Sequence, residues 1–271
     1  ATVFRDEKPG QLSGLTRVRA ITQDDGHLFL RVSQIKQEVG TIVSIIKEFY
    51  TTLGMVEDYW VSLSVSDPAT PDKYLGGKDV WDTAESSLEE AAKQFDLPYK
   101  RIEGEAAFYG PKIDFMGRDA LGRESQVATI QLDFNQPTGF GLEFIDEQGQ
   151  KQQPVMIHAA IMGSIERFLS VYIEHVAGAF PTWLAPEQVR ILPVSDKFAE
   201  YGAKVTAELK AAGVRAKLDD DNESLGKRIR GAEAMKVPYT LVVGEREQES
   251  GGVAVRKHGE GDKGSRSSAE F

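Results

Sequence analysis

The chain has 271 residues, a formal net charge of −10 and no cysteine. Disulfides and thiolate metal sites built from this chain alone are therefore excluded, and the negative balance argues against indiscriminate nucleic-acid binding while leaving room for a local basic patch. Its 41% hydrophobic and 27% charged residues fit a soluble globular protein of about two domains. Apolar runs stay short of the ~18 residues of a membrane span. The first residues lack the basic-then-apolar pattern of a secretory leader, and a reducing, cytoplasmic setting is expected.

Residues 1–7 read as a strand, KPGQLSG (8–14) as a loop, and the run from Leu15 towards Asp25 as a second strand. Ile35, Val39, Ile42, Ile46 and Phe49 recur at helical spacing within 33–53, and Gly54 supplies a stop. DYWVSLSV (58–65) reads as a strand. VWDTAESSLEEAAKQF (80–95) reads as an amphipathic helix through Trp81, Ala84, Leu88, Ala91 and Phe95. Two further strands, GPKIDFMG (110–117) and SQVATIQLDF (125–134), are joined by a turn-like RDALGR (118–123). The segment 154–176 enters as a strand and leaves as a long helix. This order predicts an α+β domain over 1–182, an antiparallel sheet flanked by helices.

The prolines of FPTWLAPEQ (180–188) mark a boundary. Beyond it, strands at 189–195, 215–220, 239–244 and 252–257 alternate with helices over 197–212 and 224–235. That rhythm predicts a small α/β domain over 188–271. The polar tail GEGDKGSRSSAEF (259–271) reads as partly disordered.

Strand alternation collects Arg17, Arg19, Ile21, Gln23, Asp25 and His27 on one face. Across the loop, Arg5 and Glu7 share a face of the first strand, so a hairpin would show cations at one end and an amide, a carboxylate and an imidazole at the other. A solvated sheet face gives the same alternation, but this mix suits a ligand wall, because guanidinium forks match phosphate oxygens.

FRDE, the loop and LTRVRAITQDDGH resemble motif 2 of class II aminoacyl-tRNA synthetases, most closely the threonyl branch. GSIERF is similar to motif 3. AAFYGPKIDF, TIQLDF, VMIHAAIMGSIERF and FPTWLAPEQV follow in the family's order, so the resemblance covers nearly the whole chain. It implies a ligase that activates L-threonine with ATP, with Mg2+ accompanying the nucleotide, and then transfers the threonyl group to tRNA(Thr). The alternative is a synthetase-derived protein that binds RNA or regulates without catalysis.

By this resemblance, Arg5 would hold the α-phosphate, Arg17 the outer phosphates and Arg167 the γ-phosphate. Glu7 would face the adenine, with Ile21 covering it where the family usually has phenylalanine. Gln23, Asp25, Tyr109, Gln126, Gln131 and Ser164 would line the amino-acid end, with Lys112 beside it as a catalytic cation. Strict alternation puts Gln126 and Gln131 on opposite faces, so a bulge is required if both serve.

His27 and His158 match two ligands of a family Zn2+ whose third ligand is a cysteine upstream of motif 2. Ala159 follows His158 where the family commonly has arginine. Motif 1, which builds much of a homodimer interface, and an editing domain also lie upstream in the family, and a final helix lies beyond Phe271. The resemblance therefore implies a piece of a longer synthetase with weak or no metal binding by itself. In the second domain Asn222, Lys236, Glu247 and Arg256 would lie near anticodon bases. Lys227, Arg228 and Arg230 of GKRIRGAEAMK suggest a phosphate-contacting patch.

Overall fold

The computed structural model describes residues 1–55, 59–118 and 122–271 and divides into two compact units, Ala1–His175 and Val176–Phe271. Part of the turn expected over 118–123, and Asp58 at the start of the expected strand 58–65, lie outside the described residues. Among the described residues no helix is long and apolar enough to cross a membrane.

The first unit contains β1 (Thr2–Phe4), β2 (Ala20–Thr22), β3 (Gly26–Leu30), α1 (Ile35–Thr52), β4 (Tyr59–Val65), α2 (Lys78–Gln94) and β5 (Tyr99–Glu103). There follow β6 (Lys112–Arg118), β7 (Glu124–Asp133), α3 (Gln136–Gly139), β8 (Phe144–Ile145), β9 (Lys151–Gln152), β10 (Val155–Ala160) and α4 (Ile165–His175). The central sheet runs β3-β10-β7-β6-β4-β5.

Alternation along these strands sorts the residues by face. Leu28, Leu30, Ile157, Ile130, Leu132, Ile113, Phe115, Val61 and Leu63 belong to one core cluster with Ile35, Val39, Ile42 and Ile46 of α1 and Ala84, Leu88 and Ala91 of α2. The helical spacing read from the sequence is the spacing of that buried stripe. The opposite face carries a polar row. His27 stands opposite His158, His158 opposite Gln131, Gln131 opposite Lys112, and Lys112 opposite Ser64, so one line of side chains crosses five strands.

The expected strand over 15–25 needs correction. The run 15–25 is not one strand: β2 pairs with β1 in its own two-stranded sheet, and β3 starts afresh on the central sheet. The break falls at Asp24, whose side chain binds the backbone of another segment instead of continuing the ladder. The central sheet is antiparallel as expected at every pairing but one, since its edge strand β5 pairs with β4 in parallel after the α2 crossover. That short edge strand, YKRIE, carries charges where alternation would call for apolar residues.

The second unit contains β11 (Val189–Pro193), α5 (Ala199–Ala211), β12 (Ala216–Leu218), α6 (Leu225–Ala234), β13 (Tyr239–Val243), α7 (Glu245–Ser250), β14 (Gly252–Lys257) and β15 (Gly261–Ser267). Its sheet runs β12-β11-β13-β14-β15, parallel through the first three strands and antiparallel thereafter. The tail expected to be disordered is β15 and the turn after it. It satisfies the outer edge of β14, and Phe271 packs its ring 5.4 Å from that of Tyr239. A polar edge strand has the composition of a disordered tail, because one side of it faces water.

Gly110 sits where the Tyr109 loop crosses β7, and a Cβ there would lie 1.7 Å from the Leu132 carbonyl oxygen. Gly110→Ala is therefore expected to destabilise the first unit by roughly 3 kcal/mol. Thermal unfolding checks this, and an unchanged midpoint would show that the close approach is not required.

Candidate active site

Arg5 and Arg167, separated by most of the first unit's sequence, line one cleft of about 160 Å³. Glu7, Arg17, Ile21, Gln23, Gln126, Thr129 and Ser164 are among its other wall residues, as are Tyr50 of α1 and Met162 and Gly163 of the turn before α4. Arg5 comes from the segment after β1, whose amide donates to the Arg19 carbonyl at 2.8 Å. Arg167 projects from the first turn of α4 and donates from Nε to the Thr16 carbonyl at 3.1 Å, which ties α4 to the loop ahead of β2. Arg17 and Glu7, expected at different parts of a nucleotide, are bonded to each other: Arg17 donates from Nε and from its terminal nitrogen to Glu7 Oε2, both at 3.0 Å. Arg19, from the same expected face, donates to the Glu7 carbonyl.

The required bulge is present. Phe115 pairs with Ala128 and Met116 with Gln126, which leaves Val127 as the extra residue of β7. Gln126 and Gln131 therefore reach one network from the same face. The Asp114 carboxylate accepts from Lys112 Nζ at 2.6 Å, Gln126 Nε2 at 2.9 Å and Thr129 Oγ1 at 2.7 Å. Gln131 donates to Thr129 Oγ1 at 3.2 Å and accepts from the Tyr109 hydroxyl. Asp114 is only 4% exposed, and a carboxylate so buried persists only when donors surround it.

Beside this network the rings of His27 and His158 meet edge-to-face with centroids 4.7 Å apart, and Tyr109 lies 5.2 Å from His158. Ligand atoms of Asp25, His27 and His158 all lie within 4.8 Å of one another. One ring nitrogen of His158, Nε2, contacts Asp133 Oδ2 at 3.1 Å. The other Asp133 oxygen accepts from the amides of Asn135 and Gln136. Ser164 stands opposite Gln23 in an isolated bridge, and its hydroxyl donates to Glu166. Glu166 also accepts from the Thr22 amide. Its own backbone amide first, then those partners, hold its carboxyl below the usual range.

The expected residues thus form two adjoining groups: Arg5, Glu7, Arg17, Ile21, Gln23, Gln126, Ser164 and Arg167 around the cleft, and Asp25, His27, Tyr109, Lys112, Gln131 and His158 along the polar row. Asp114 and Thr129 join them. Sequence reasoning missed Asp24, Asp114 and Asp133. The signal available for the last two was a carboxylate alternating with apolar residues inside a strand, in KIDF and QLDF.

In the second unit, Asn222 and Glu247 follow the carboxyl ends of β12 and β13, whereas Lys236 precedes the amino end of β13 and Arg256 stands opposite Thr240 near that end. Glu247 also accepts from the Gly244 amide as the cap of α7. Arg228 does not belong to a phosphate patch. It is buried and donates to the carbonyls of Asp219 at 2.8 Å and Pro193 at 2.7 Å, joining α6 to the ends of β12 and β11. Helical spacing showed three cations within a turn but not which of them points inward.

Residues 1–176 match the tRNA synthetase class II core domain (G, H, P, S and T), and residues 188–271 match the anticodon binding domain. The chain belongs to the class II tRNA synthetases. It is 50% identical over 270 residues to a threonine–tRNA ligase of Phocaeicola vulgatus, and 48% identical over 270 residues to one of Thermus thermophilus. Those matches cover 100% of this chain but 42% and 41% of the relatives, so the chain spans about two-fifths of their length. Among solved structures, the RNA binding domain of threonyl-tRNA synthetase from Cryptosporidium parvum superposes with a TM-score of 0.93 at 36% identity, covering 100% of this chain and 67% of that one. A putative threonyl-tRNA synthetase from Aeropyrum pernix superposes at 0.82 with 31% identity, covering 94% and 60%.

Two measurements test the site. Burial first, then the charges of Asp133, Asp25 and Asp114, push the Tyr109 phenol above its ordinary value. The unfolded chain then loses this proton before the folded one does. The linked stability is intact below about pH 10 and falls as pH rises through the folded value. The difference between alkaline absorbance titrations of wild type and Tyr109→Phe should isolate a phenol ionising above about pH 10, and a midpoint at or below that value would contradict the geometry. Separately, Arg228→Ala should cost the second unit about 2 kcal/mol or more through two orphaned buried carbonyls, whereas exposed Arg230→Ala should leave its unfolding midpoint in place.

Proposed function

We propose that the chain is the catalytic core and anticodon-binding part of a threonine–tRNA ligase, which condenses threonine with ATP and passes the threonyl group to tRNA(Thr). One observation carries the reading: Arg5 and Arg167 line a common cleft that adjoins two imidazoles 4.7 Å apart and a wall of amide, carboxylate and phenol groups. A nucleotide with its Mg2+ suits the end of the cleft held by two guanidinium groups, and a small amino acid suits the polar row.

In this reading Arg5 holds the α-phosphate and stabilises charge that develops as the amino-acid carboxylate attacks it. Such preorganised donors supply a large part of catalysis. Arg167 grips the γ-phosphate. The Arg17–Glu7 pair opens so that Arg17 meets the outer phosphates and Glu7 meets the adenine, while Ile21, 9% exposed, covers the base. Gln23, Ser164 and Gln126 bound the carboxyl end of threonine. Asp25 and Tyr109 accept or donate at its amine, and Lys112 adds positive charge beside the reacting carboxylate.

Zinc fits the donors present. His27 and His158 would hold it through imidazole nitrogens, the Asp133 contact occupying one nitrogen of His158 and leaving the other for a metal, and Asp25, whose carboxylate oxygen lies within 4.8 Å of those nitrogens, would meet the amine of an amino acid held beside it. When bound, zinc supplies a Lewis-acid contact that favours an amino acid bearing a hydroxyl. A site built around that hydroxyl rejects valine by about 10⁴-fold or more. In the second unit Asn222, Lys236, Glu247 and Arg256 are the residues proposed to meet anticodon bases.

The test is ATP–pyrophosphate exchange by the full-length protein. Threonine is expected to drive exchange, and valine to fail. Arg5→Ala and Arg167→Ala are each expected to lower kcat/KM by on the order of 10²–10³-fold. Exchange driven instead by proline, glycine or histidine would overturn the specificity, and full activity of both variants would overturn the assignment of the cleft.

A further inference from the structure

Between β2 and β3 the Asp24 carboxylate accepts three backbone amides from the turn that joins β10 to α4: Ile161 at 2.8 Å and Met162 at 3.0 Å on Oδ2, and Gly163 at 2.6 Å on Oδ1. The Asp24 amide returns a bond to the Gly163 carbonyl at 3.1 Å. Gly163 has a φ of +70°, a conformation that a side chain rarely adopts. The next residues are Ser164 and, one helical turn into α4, Arg167. On the other side of the same turn, the Tyr50 hydroxyl of α1 lies 3.1 Å from the Ile161 carbonyl and 2.9 Å from that of Val127, the bulged residue of β7. Tyr50 is only 7% exposed, and its phenol is pushed up by burial first and by the Asp24 charge second, so it remains a donor.

We infer that Asp24 and Tyr50 form a clamp that positions the candidate site. Asp24 sets the direction in which Ser164 and Arg167 leave the β10–α4 turn, and Tyr50 locks that turn to the bulge that brings Gln126 onto the site face. Asp24 lies outside the lining of the cleft and needs no contact with a substrate, whereas Tyr50 lines the cleft and has its hydroxyl turned to the backbone. Asp24 acts through the backbone of 161–163, and Tyr50 through the carbonyls of Ile161 and Val127. A carboxylate is required because three converging N–H groups need two oxygens and no competing donor. Asparagine would turn an NH2 group against one of those amides.

The inference rests on the reading of the cleft given above, and its test separates the two. In the full-length protein, Asp24→Asn is expected to raise the KM for ATP and the KM for threonine together, each on the order of tenfold, because the displaced turn carries Arg167 at one end of the site and Ser164 at the other. Tyr50→Phe should raise the same two constants by less. In an Arg167→Ala background, Asp24→Asn should affect the KM for ATP much less than it does alone. A merely structural role would lower kcat per molecule through lost folded protein while leaving both KM values unchanged. That result, or effects of Asp24→Asn and Arg167→Ala that simply multiply, would overturn the clamp.

If the full-length protein activates a different amino acid, the specificity reading fails and the same comparison with that substrate still decides the clamp. If it activates none, hydrogen exchange decides. The amides of Ile161, Met162 and Gly163 should lose protection in Asp24→Asn while those of α1 keep theirs, and retained protection at the turn would overturn the inference.

Discussion

A carboxylate that is almost fully removed from water, as Asp114 is, stays in place only if cations and hydrogen-bond donors converge on it. Lys112, Gln126 and Thr129 do so, each from a strand whose opposite face is buried against α1 and α2. The polar face of the sheet is thereby fixed with the rigidity of its apolar face. No loop has to be ordered to bring the lysine, the amides and the imidazoles together. The constraint runs in both directions: the apolar residues hold the strands in register, and the register places His27, His158, Gln131, Lys112 and Ser64 in one line.

The cleft at the end of this line is assembled differently. Arg5, Arg17 and Glu7 come from a hairpin outside the central sheet, and Arg167 from the first turn of α4. These groups are long and partly exposed, and their internal partners are few: Arg17 pairs with Glu7, and Arg167 donates to the Thr16 carbonyl. A stiff polar row beside an adjustable cationic cleft suits the proposed pair of ligands, a small, precisely shaped amino acid and a large, charged nucleotide.

Much of this was legible from the chain. The helical stripes of α1 and α2 and the alternation in β6, β7 and β10 follow from burial on one face, which leaves a local periodic trace. The bulge in β7 followed from Gln126 and Gln131 once the resemblance assigned both to one site, because residues five apart cannot share a face of a regular strand. Other features leave no local trace. Asp24 looked like a turn residue because its partners are amides 137 to 139 positions away. Arg228 looked like part of a basic surface because its acceptors are carbonyls at the ends of two strands. Strand β15 looked like a disordered tail because its order comes from the edge of β14.

The extra residue at Val127 resets the parity of a strand. On either side of it, odd and even positions exchange meaning: the rule that assigns Thr129 and Gln131 to the polar face would, if carried unbroken through Val127, turn Gln126 towards the helices. A single inserted residue therefore lets one continuous segment serve two neighbouring compartments with independent phase. Unbroken alternation through the same residues would not weaken the strand so much as transpose half of it, turning Gln126 away from the Asp114 carboxylate that it now meets.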